Sequence, residues 1–279
     1  MASPAPKKVN MATFDTQGIT LYYEVYGDPA NLPVLLLTGL GGSGESWDTQ
    51  VQLFADKYRV IVPDHRGTGR STHTLEGHTT AQLAADMASL VEHLRLGSAH
   101  VVGASTGGAI AQCMALDHSH TVRTLTMLAS FARFDAFAKR EFAVRRKMVA
   151  EWDTRAMFSG YALFLFSPRF TRDYPEQVTS WIDRATARPI GPDDREIALK
   201  RLDMVAAHDT LLRLGDIRQP SLVVCGDQDF CAPLPLSEEI ARGISDCEIA
   251  VLPGCGHLLQ LEKPKEFFQI VHRFISLNR

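Results

Sequence analysis

The chain has 279 residues, of which 45% are hydrophobic and 22% are charged, and its formal net charge is −3. These values are ordinary for a soluble globular protein, and the length suffices for one large α/β domain or a domain with an insertion. The chain has no sustained basic patch and no apolar run long enough to cross a bilayer, so we expect neither a nucleic-acid partner nor a membrane partner.

The amino-terminal segment and the cysteines both indicate the compartment. Residues 1–11 are polar, with Lys7 and Lys8 but no apolar core after them, so we expect a loose tail and no secretory signal. The five cysteines are odd in number and lack C-x-x-C spacing, which favours free thiols over a disulfide framework. Cys231 and Cys255 are interpreted as small packed residues. We therefore predict a cytoplasmic protein.

Apolar runs and turn signals predict alternating strands and helices in the first half of the chain. Strands buried on both faces read as continuous apolar runs, and a buried helix shows an apolar stripe at helical spacing. The predicted elements, in chain order, are two short strands within 14–26, strands at 33–37 and 59–62, a helix at 79–94, a strand at 99–102, a helix through Leu116 and a strand at 122–128. This order implies a doubly wound, mostly parallel α/β sheet.

The middle of the chain interrupts this alternation. From Phe131 to about Ile217 there is no convincing buried strand, and several amphipathic helices rich in aromatic residues take its place. Alternation resumes with a strand at 221–225, a helix at 235–242, a strand at 248–252 and a final helix. We predict a core domain of residues 1–130 and 218–279, with a helical cap, residues 131–217, inserted before the penultimate core strand.

A serine lies where the 99–102 strand meets the helix after it. The spacing Gly103-x-Ser105-x-Gly107 lets a serine occupy a sharp strand-to-helix turn, with glycines where a Cβ would collide with the neighbouring backbone. The first amides of the new helix would face an oxyanion formed there. The same string also fits an ordinary turn, so its interpretation depends on residues elsewhere in the chain.

Candidate partners for this serine follow two later strands. A serine nucleophile needs a base to take its proton and a carboxylate to orient that base. Asp227 and Asp229 follow the 221–225 strand, and His257 follows the 248–252 strand. Because ligands bind at the carboxyl ends of the strands in such a sheet, the serine, an acid and the histidine would meet at one edge.

Three further motifs accompany this constellation: Asp64-His65-Arg66-Gly67-Thr68-Gly69-Arg70-Ser71, Gly226-Asp227-Gln228-Asp229-x-x-x-Pro233, and Gly256-His257 followed by Glu262 and Pro264. Together with the serine turn and the order serine, acid, histidine, they make the chain resemble the α/β-hydrolase superfamily across nearly its whole length. Within it, the segment 37–43 and the cap are most similar to the aminoacrylate hydrolase and oxoadipate enol-lactonase group.

The resemblance implies a role for each matching residue. Ser105 would be the nucleophile, His257 the general base and then the general acid, and Asp229 the carboxylate that orients the histidine. The backbone N–H groups of Leu40 and Thr106 would form the oxyanion hole, where the loss of one donor can cost about 3 kcal/mol. No cofactor and no metal ion are expected.

Asp227 is the alternative acid, although the position directly after the glycine more often faces solvent or caps a turn. Some relatives carry the acid at the end of the preceding core strand, but here that position is near Ser130, with no carboxylate beside it. Thr38 and Ala104 stand where many relatives have histidine. This departure leaves the proposed triad intact and bears on loop hydrogen bonding and substrate preference.

Other polar residues receive less specific interpretations. Asp64-His65 is interpreted as part of a structural loop that holds Arg66 and Ser71. The cationic residues within 139–147, among them Arg145, are interpreted as a solvated helix face, with an anchor for a substrate carboxylate as the alternative. A zinc site is disfavoured because three histidines lack ligand spacing with carboxylates: His118, His120 and His208.

The leading hypothesis is a cofactor-independent serine hydrolase that cleaves an ester, lactone or amide- or carbamate-like bond of a small acyl substrate through an acyl-enzyme. Trp152 and Tyr161 are predicted to roof the substrate pocket, while most other cap aromatics belong to the core. The alternatives are a C–C bond hydrolase, a lyase or a cofactor-free oxygenase on the same fold, and a hydrolase-like small-molecule receptor. A small-molecule substrate is the expected partner, and a homodimer is an open alternative for the assembly.

Overall fold

The computed structural model describes residues 8–187 and 191–278. The strands in these ranges are β1 Lys8–Thr16, β2 Ile19–Tyr26, β3 Pro33–Leu37, β4 Arg59–Pro63, β5 Ala99–Ala104, β6 Val122–Leu128, β7 Ser221–Gly226 and β8 Cys247–Leu252. The α-helices are α1 Asp48–Phe54, α2 Thr80–His93, α3 Thr106–Asp117, α4 Ala136–Glu151, α5 Thr154–Leu165, α6 Pro168–Asp173, α7 Pro175–Thr186, α8 Asp194–Ala207, α9 Leu234–Gly243, α10 Leu259–Glu262 and α11 Pro264–Leu277.

All of these strands belong to one sheet, in the order β1-β2-β4-β3-β5-β6-β7-β8. The pairs β1–β2 and β2–β4 are antiparallel. Every other neighbouring pair is parallel. The carboxyl ends of β3 to β8 therefore lie along one edge of the sheet, which is where an open α/β sheet binds its ligands.

Two apolar cores, one on each face of the sheet, hold the sheet between its helices. In β3, Leu35 and Leu37 join the core that includes α2 and α3, while Val34 and Leu36 join the core that includes α1 and α11. All four side chains have no exposed surface. Because successive side chains point to opposite faces, a strand covered on both sides needs the continuous apolar run seen in the sequence.

Helices α4 to α8 occupy the chain between β6 and β7, the penultimate strand. The chain leaves the core and returns to it at adjacent points, because Arg133 and Asp209 form an antiparallel bridge. The N–H of Thr210 donates to the carbonyl oxygen of Ala132 at 2.9 Å. The predicted fold class, with its helical insertion at this point, is confirmed; the residue limits of the cap as a domain stay a prediction.

Two local features differ from the sequence-based expectations. The predicted loose tail is too long, because β1 begins at Lys8 and pairs Met11 with Glu24 of β2. The sequence patterns also did not predict α1, whose Val51 and Phe54 pack into the core on one face of the sheet. A helix of this length offers too few apolar positions to show a stripe.

No helix in the described parts of the chain combines the length and the hydrophobicity needed to cross a membrane. All five cysteines carry free thiols. Of these, Cys225 and Cys255 have no exposed surface, in keeping with the small packed residue expected at Cys255.

Candidate active site

Ser105 occupies a strained turn between β5 and α3. Its φ of 52° and ψ of -116° lie outside the regions that residues with a side chain usually adopt, so the surrounding structure must hold this conformation. A Cβ on Gly103 would collide with the carbonyl group of Gly107, and a Cβ on Gly107 would collide with the carbonyl oxygen of Leu37. The two glycines therefore make the turn possible. Ser105 itself remains only half-buried.

His257 and Asp229 are in direct contact on the loops after β8 and β7. The Nδ1 atom of His257 lies 2.9 Å from Oδ2 and 3.0 Å from Oδ1 of Asp229. Both side chains are buried. The Oδ1 atom also accepts the backbone N–H groups of Cys231 at 2.8 Å and Ala232 at 2.9 Å. A carboxylate fixed by two amides cannot rotate freely, so it fixes the orientation of the imidazole as well.

Asp227, the alternative acid, faces the other way. Its Oδ1 accepts the backbone N–H of Gly254 at 2.6 Å in an exposed position. The N–H of Gln228 donates to the carbonyl oxygen of Cys255 at 2.9 Å. Asp227 therefore ties together the two loops that carry Asp229 and His257, and the structure gives it no contact with the histidine ring.

Leu40 and Thr106 belong to two backbone segments that lie next to Ser105. Thr106 is the first residue of α3, and the N–H groups in the first turn of a helix have no acceptor within that helix. Gly39, which precedes Leu40, lies against the serine, since a Cβ built on it would be 3.5 Å from the Cβ of Ser105. The two backbone segments thus meet at the serine; that their N–H groups form an oxyanion hole stays a prediction.

Thr38 and Ala104, the two positions at which the sequence departs from the expected family pattern, are both buried. Ser46 Oγ donates to Thr38 Oγ1 at 3.1 Å. Ser130 Oγ donates to the backbone carbonyl oxygen of Ser105 at 2.9 Å, behind the turn. Hydroxyl groups therefore support the loop and the turn.

The loop 64–71 is a hydrogen-bonded support for the site. The Asp64 carboxylate accepts the N–H of Gly44 at 2.6 Å and Nε–H of Arg70 at 2.9 Å. Arg66 forms a buried two-bond ion pair with Asp86 of α2, at 2.6 and 2.7 Å. Both carboxylates are thus committed to arginines, which agrees with the interpretation of this loop as structural.

A buried polar cluster that the sequence did not predict lies beside Asp229. The side chains of Glu141 and Arg145 of α4 are 1% and 7% exposed, with Nη1 and Oε1 at 3.6 Å. Cys231 Sγ lies 3.7 Å from Glu141 Oε1 and 3.9 Å from Arg145 Nη1. Burial raises the pKa of the Glu141 carboxyl, and it raises the pKa of the Cys231 thiol well above its ordinary value. The cluster brings α4 into contact with the loop that carries the acid.

The interpretation of the cationic run as a solvated face is therefore wrong for Arg145. Its guanidinium carbon lies 4.8 Å from the ring centroid of Phe142 and 4.6 Å from that of Tyr161. Arg146, one residue further, has a side chain that is 48% exposed. The usable sequence signal was the i, i+4 pair formed with Glu141, which shares the inward face of the helix.

Asp229, Cys231 and His257 present ligand-type atoms within 4.8 Å of one another. The Cys231 Sγ atom lies 3.7 Å from Glu141 Oε1 and 3.9 Å from Arg145 Nη1, within the buried cluster. The Asp229 oxygens already accept N–H groups from His257 and from two backbone amides. The contact between acid and base explains this grouping without an ion.

The two aromatic residues predicted to roof the pocket lie in different surroundings. Tyr161 of α5 is buried and packs against Arg145 in the cluster beside the acid loop. Trp152 follows α4, is 43% exposed, and places its ring over Gly160. The structure thus brings Tyr161 close to the Asp229 loop and leaves Trp152 at the surface; contact of either with substrate stays a prediction.

The sheet topology, the strained serine turn and the contact between histidine and aspartate together define the class of protein. Residues 33–264 match the family described as the alpha/beta hydrolase fold. The chain therefore belongs to the α/β-hydrolase family, and its relatives are named as hydrolases.

The chain is similar to several hydrolases of known name or structure. A protein of Azorhizobium caulinodans named as a carbamate hydrolase, RutD, is 32% identical over 254 residues, which are 91% of this chain and 94% of that protein. The structure of a thermophilic esterase from Thermogutta terrifontis has a TM-score of 0.81 and 27% identity, covering 97% of this chain and 98% of its own. The enol-lactonase of Burkholderia xenovorans LB400 has a TM-score of 0.85 at 22% identity, covering 95% and 100%, which bears on the fold alone. The resemblance to the α/β-hydrolase superfamily that the sequence predicted is confirmed.

Proposed function

We propose that the protein hydrolyses a small acyl substrate, with an ester, lactone or carbamate-like bond, through a covalent acyl-enzyme on Ser105. The observation that carries the proposal is the contact of His257 Nδ1 with the Asp229 carboxylate at 2.9 Å, at the same sheet edge as a serine held in a strained turn. The range of bonds is supported by the relatives, of which one is named a carbamate hydrolase and another an esterase.

In the first half of the proposed reaction, Ser105 Oγ attacks the substrate carbonyl carbon while His257 Nε2 takes the hydroxyl proton. Asp229 holds the other ring nitrogen as the N–H form and stabilises the imidazolium that results. The backbone N–H groups of Leu40 and Thr106 bind the oxyanion of the tetrahedral intermediate. The intermediate collapses, the bond to the leaving group breaks, and the imidazolium gives its proton to the departing alcohol or amine.

In the second half, a water molecule attacks the acyl carbon and His257 takes its proton. A second oxyanion forms in the same hole and collapses by breaking the bond to Ser105 Oγ. The imidazolium returns its proton to the serine, and the acid product leaves. Every proton that His257 takes is returned, so the protein needs no external acid or base to complete a cycle.

Covalent labelling tests the proposal without knowledge of the substrate. A fluorophosphonate probe reacts with a serine only when a base activates it. We expect one adduct on Ser105 by mass spectrometry, none in Ser105→Ala, and labelling slowed about 10²- to 10⁴-fold in His257→Ala, because general-base catalysis has that magnitude. Urea unfolding of the variants serves as the control for folding. An unlabelled Ser105 in the folded wild-type protein contradicts the proposed mechanism.

A further inference from the structure

A buried arginine that has no acidic partner among the described residues lies where the inserted helices α4 to α8, the helical segment, meet the core. Arg201 of α8 is 1% exposed. Its Nη1 donates to the carbonyl oxygen of Arg66 at 2.9 Å, whereas Nε and Nη2 have no partner among the described residues. Burial without a counter-charge lowers the pKa of Arg201 to about 10. An unpaired buried charge destabilises the fold, so we expect an anionic group to bind the free donors of this guanidinium.

His65 adds a second buried polar group at the same place. It has no exposed surface; its ring interacts with the backbone of Thr38 and has no side-chain hydrogen-bond partner within the described parts of the chain. Burial and the positive charge of Arg201 lower the pKa of His65 to about 3. The ring is therefore neutral at ordinary pH and offers one N–H donor and one acceptor.

The neighbouring acids cannot serve as the missing counter-charge. Asp64 is bound by Arg70 at 2.9 Å, and Asp86 is bound by Arg66 at 2.6 Å. Arg201 therefore differs from Arg66 and Arg70, whose charges are matched by these two acids. The charge of the buried Arg145 is also matched, by Glu141 at 3.6 Å, so the substrate-anchor interpretation of the cationic run has little support at that residue.

Arg201 and His65 adjoin the serine through a short chain of contacts. The ring of His65 approaches the backbone of Thr38, and the next residue, Gly39, lies against Ser105. On the other side, α8 packs on the loop that carries His65, since a Cβ on Gly67 would lie 2.9 Å from Cγ2 of Ile197. The pair thus lies between the helical segment and the loop that carries Leu40.

We propose that Arg201 and His65 form a subsite for a carboxylate of the acyl substrate, an inference that rests on the proposed hydrolase function. The unused Nε and Nη2 atoms are the two adjacent donors of a guanidinium edge, which matches the two oxygens of a carboxylate. One cation beside a neutral imidazole balances a single negative charge, which favours a carboxylate over a doubly charged phosphate. The substrate would be a small acyl compound whose acyl chain ends in an acid.

Matched pairs of esters test this subsite. The probes are mono-4-nitrophenyl esters of diacids from glutaric to octanedioic acid, each compared with the 4-nitrophenyl ester of the monoacid of the same chain length. The readout is the ratio of kcat/KM for the two esters of a pair. In the wild-type protein we expect the diacid ester to be preferred at one or two chain lengths. In Arg201→Met the preference falls by about 10- to 100-fold, the range for a charged hydrogen bond.

Lys200→Met is the matched control, because Lys200 precedes Arg201 on the same helix and its side chain is 42% exposed. This variant removes one positive charge nearby and keeps the preference within about twofold, since surface charges contribute little. The free energy of unfolding of Arg201→Met stays equal to that of the wild type or rises, because an unpaired buried charge is replaced by an apolar chain of similar length.

Several outcomes overturn the subsite: no preference for a diacid ester at any length, an unchanged preference in Arg201→Met, or an equal loss in Lys200→Met. Stabilisation of the wild type by acetate, with no preference between the esters, assigns the pair to a free anion instead and also overturns it. Failure of the probe to label Ser105 in the wild type contradicts the hydrolase function itself, so the two proposals fail separately.

Discussion

Replacement of Asp229 by asparagine isolates the contribution of the carboxylate to the proposed reaction. The amide oxygen of asparagine can take the place of Oδ1, which accepts the N–H groups of Cys231 and Ala232 at 2.8 and 2.9 Å. The NH₂ group then takes the place of Oδ2, which lies 2.9 Å from His257 Nδ1. Nδ1 also lies 3.0 Å from Oδ1, but that oxygen already accepts two backbone N–H groups, whereas the NH₂ group donates to Nδ1. The imidazole therefore carries its proton mainly on Nε2.

An imidazole with its proton on Nε2 cannot accept the proton of Ser105. We therefore expect the rate of fluorophosphonate labelling to fall about 10⁴-fold, the magnitude known for this exchange in a serine protease triad. This corresponds to about 5.5 kcal/mol of transition-state stabilisation. The fold should survive, because two of the hydrogen bonds to the side chain remain and the change is isosteric.

Asp227→Asn is the matched control, two residues away on the same loop. Its carboxylate is exposed and accepts one N–H, from Gly254 at 2.6 Å, so we expect labelling to change by about twofold or less. The second-order rate of labelling and the free energy of unfolding in urea are measured for both variants. Labelling of Asp229→Asn at more than about a tenth of the wild-type rate refutes the assigned role, as does an equal loss in Asp227→Asn.

Two further predictions concern stability. In Gly107→Ala the added Cβ would collide with backbone carbonyl groups, so we expect a loss of about 1–3 kcal/mol in urea unfolding; Gly215→Ala, where the nearest atom is 3.9 Å away, is the control, and equal losses would contradict the reasoning. Burial lowers the pKa of His100 to about 4. Between about pH 6.5 and 4, His100 is protonated in the unfolded chain but not in the folded chain. The free energy of unfolding therefore decreases as the pH is lowered through this range, by at most about 3 kcal/mol. The double variant His100→Leu/Thr124→Val, which removes both members of a buried hydrogen bond, should lose that share of the pH dependence, and an unchanged slope would contradict it.

The fold and the positions of the triad candidates could be predicted because they depend on local patterns. Strands buried on both faces must be continuously apolar, so β3 to β7 can be recognised as apolar runs in the sequence. The turn at Ser105 needs glycines at fixed offsets, and the loops after β7 and β8 carry their polar residues directly past a strand end. Each of these signals lies within a few residues of the feature that it predicts.

The burial of charged side chains could not be predicted, because it depends on contacts far along the chain. No sequence pattern marks Arg201 as a buried residue. Its side chain is excluded from water only because it packs on the loop of Arg66, 135 positions earlier in the chain. Arg145 likewise reads as one cation among several until α4 is placed against the loop of Cys231. Local polarity predicts a solvent-exposed face in both cases, and the tertiary contacts override it.

The bridge between Arg133 and Asp209 means that the helical segment α4 to α8 can be replaced without changing the core. Its two ends are neighbours, so a segment of different length or shape could be joined at the same place without altering any strand pairing. Ser105, Asp229 and His257 all lie outside it, whereas Arg201 lies within it. The proposed catalytic residues and the residue proposed to select the substrate thus lie in different parts of the chain. The substrate-selecting residue can change in evolution while the catalytic residues remain the same.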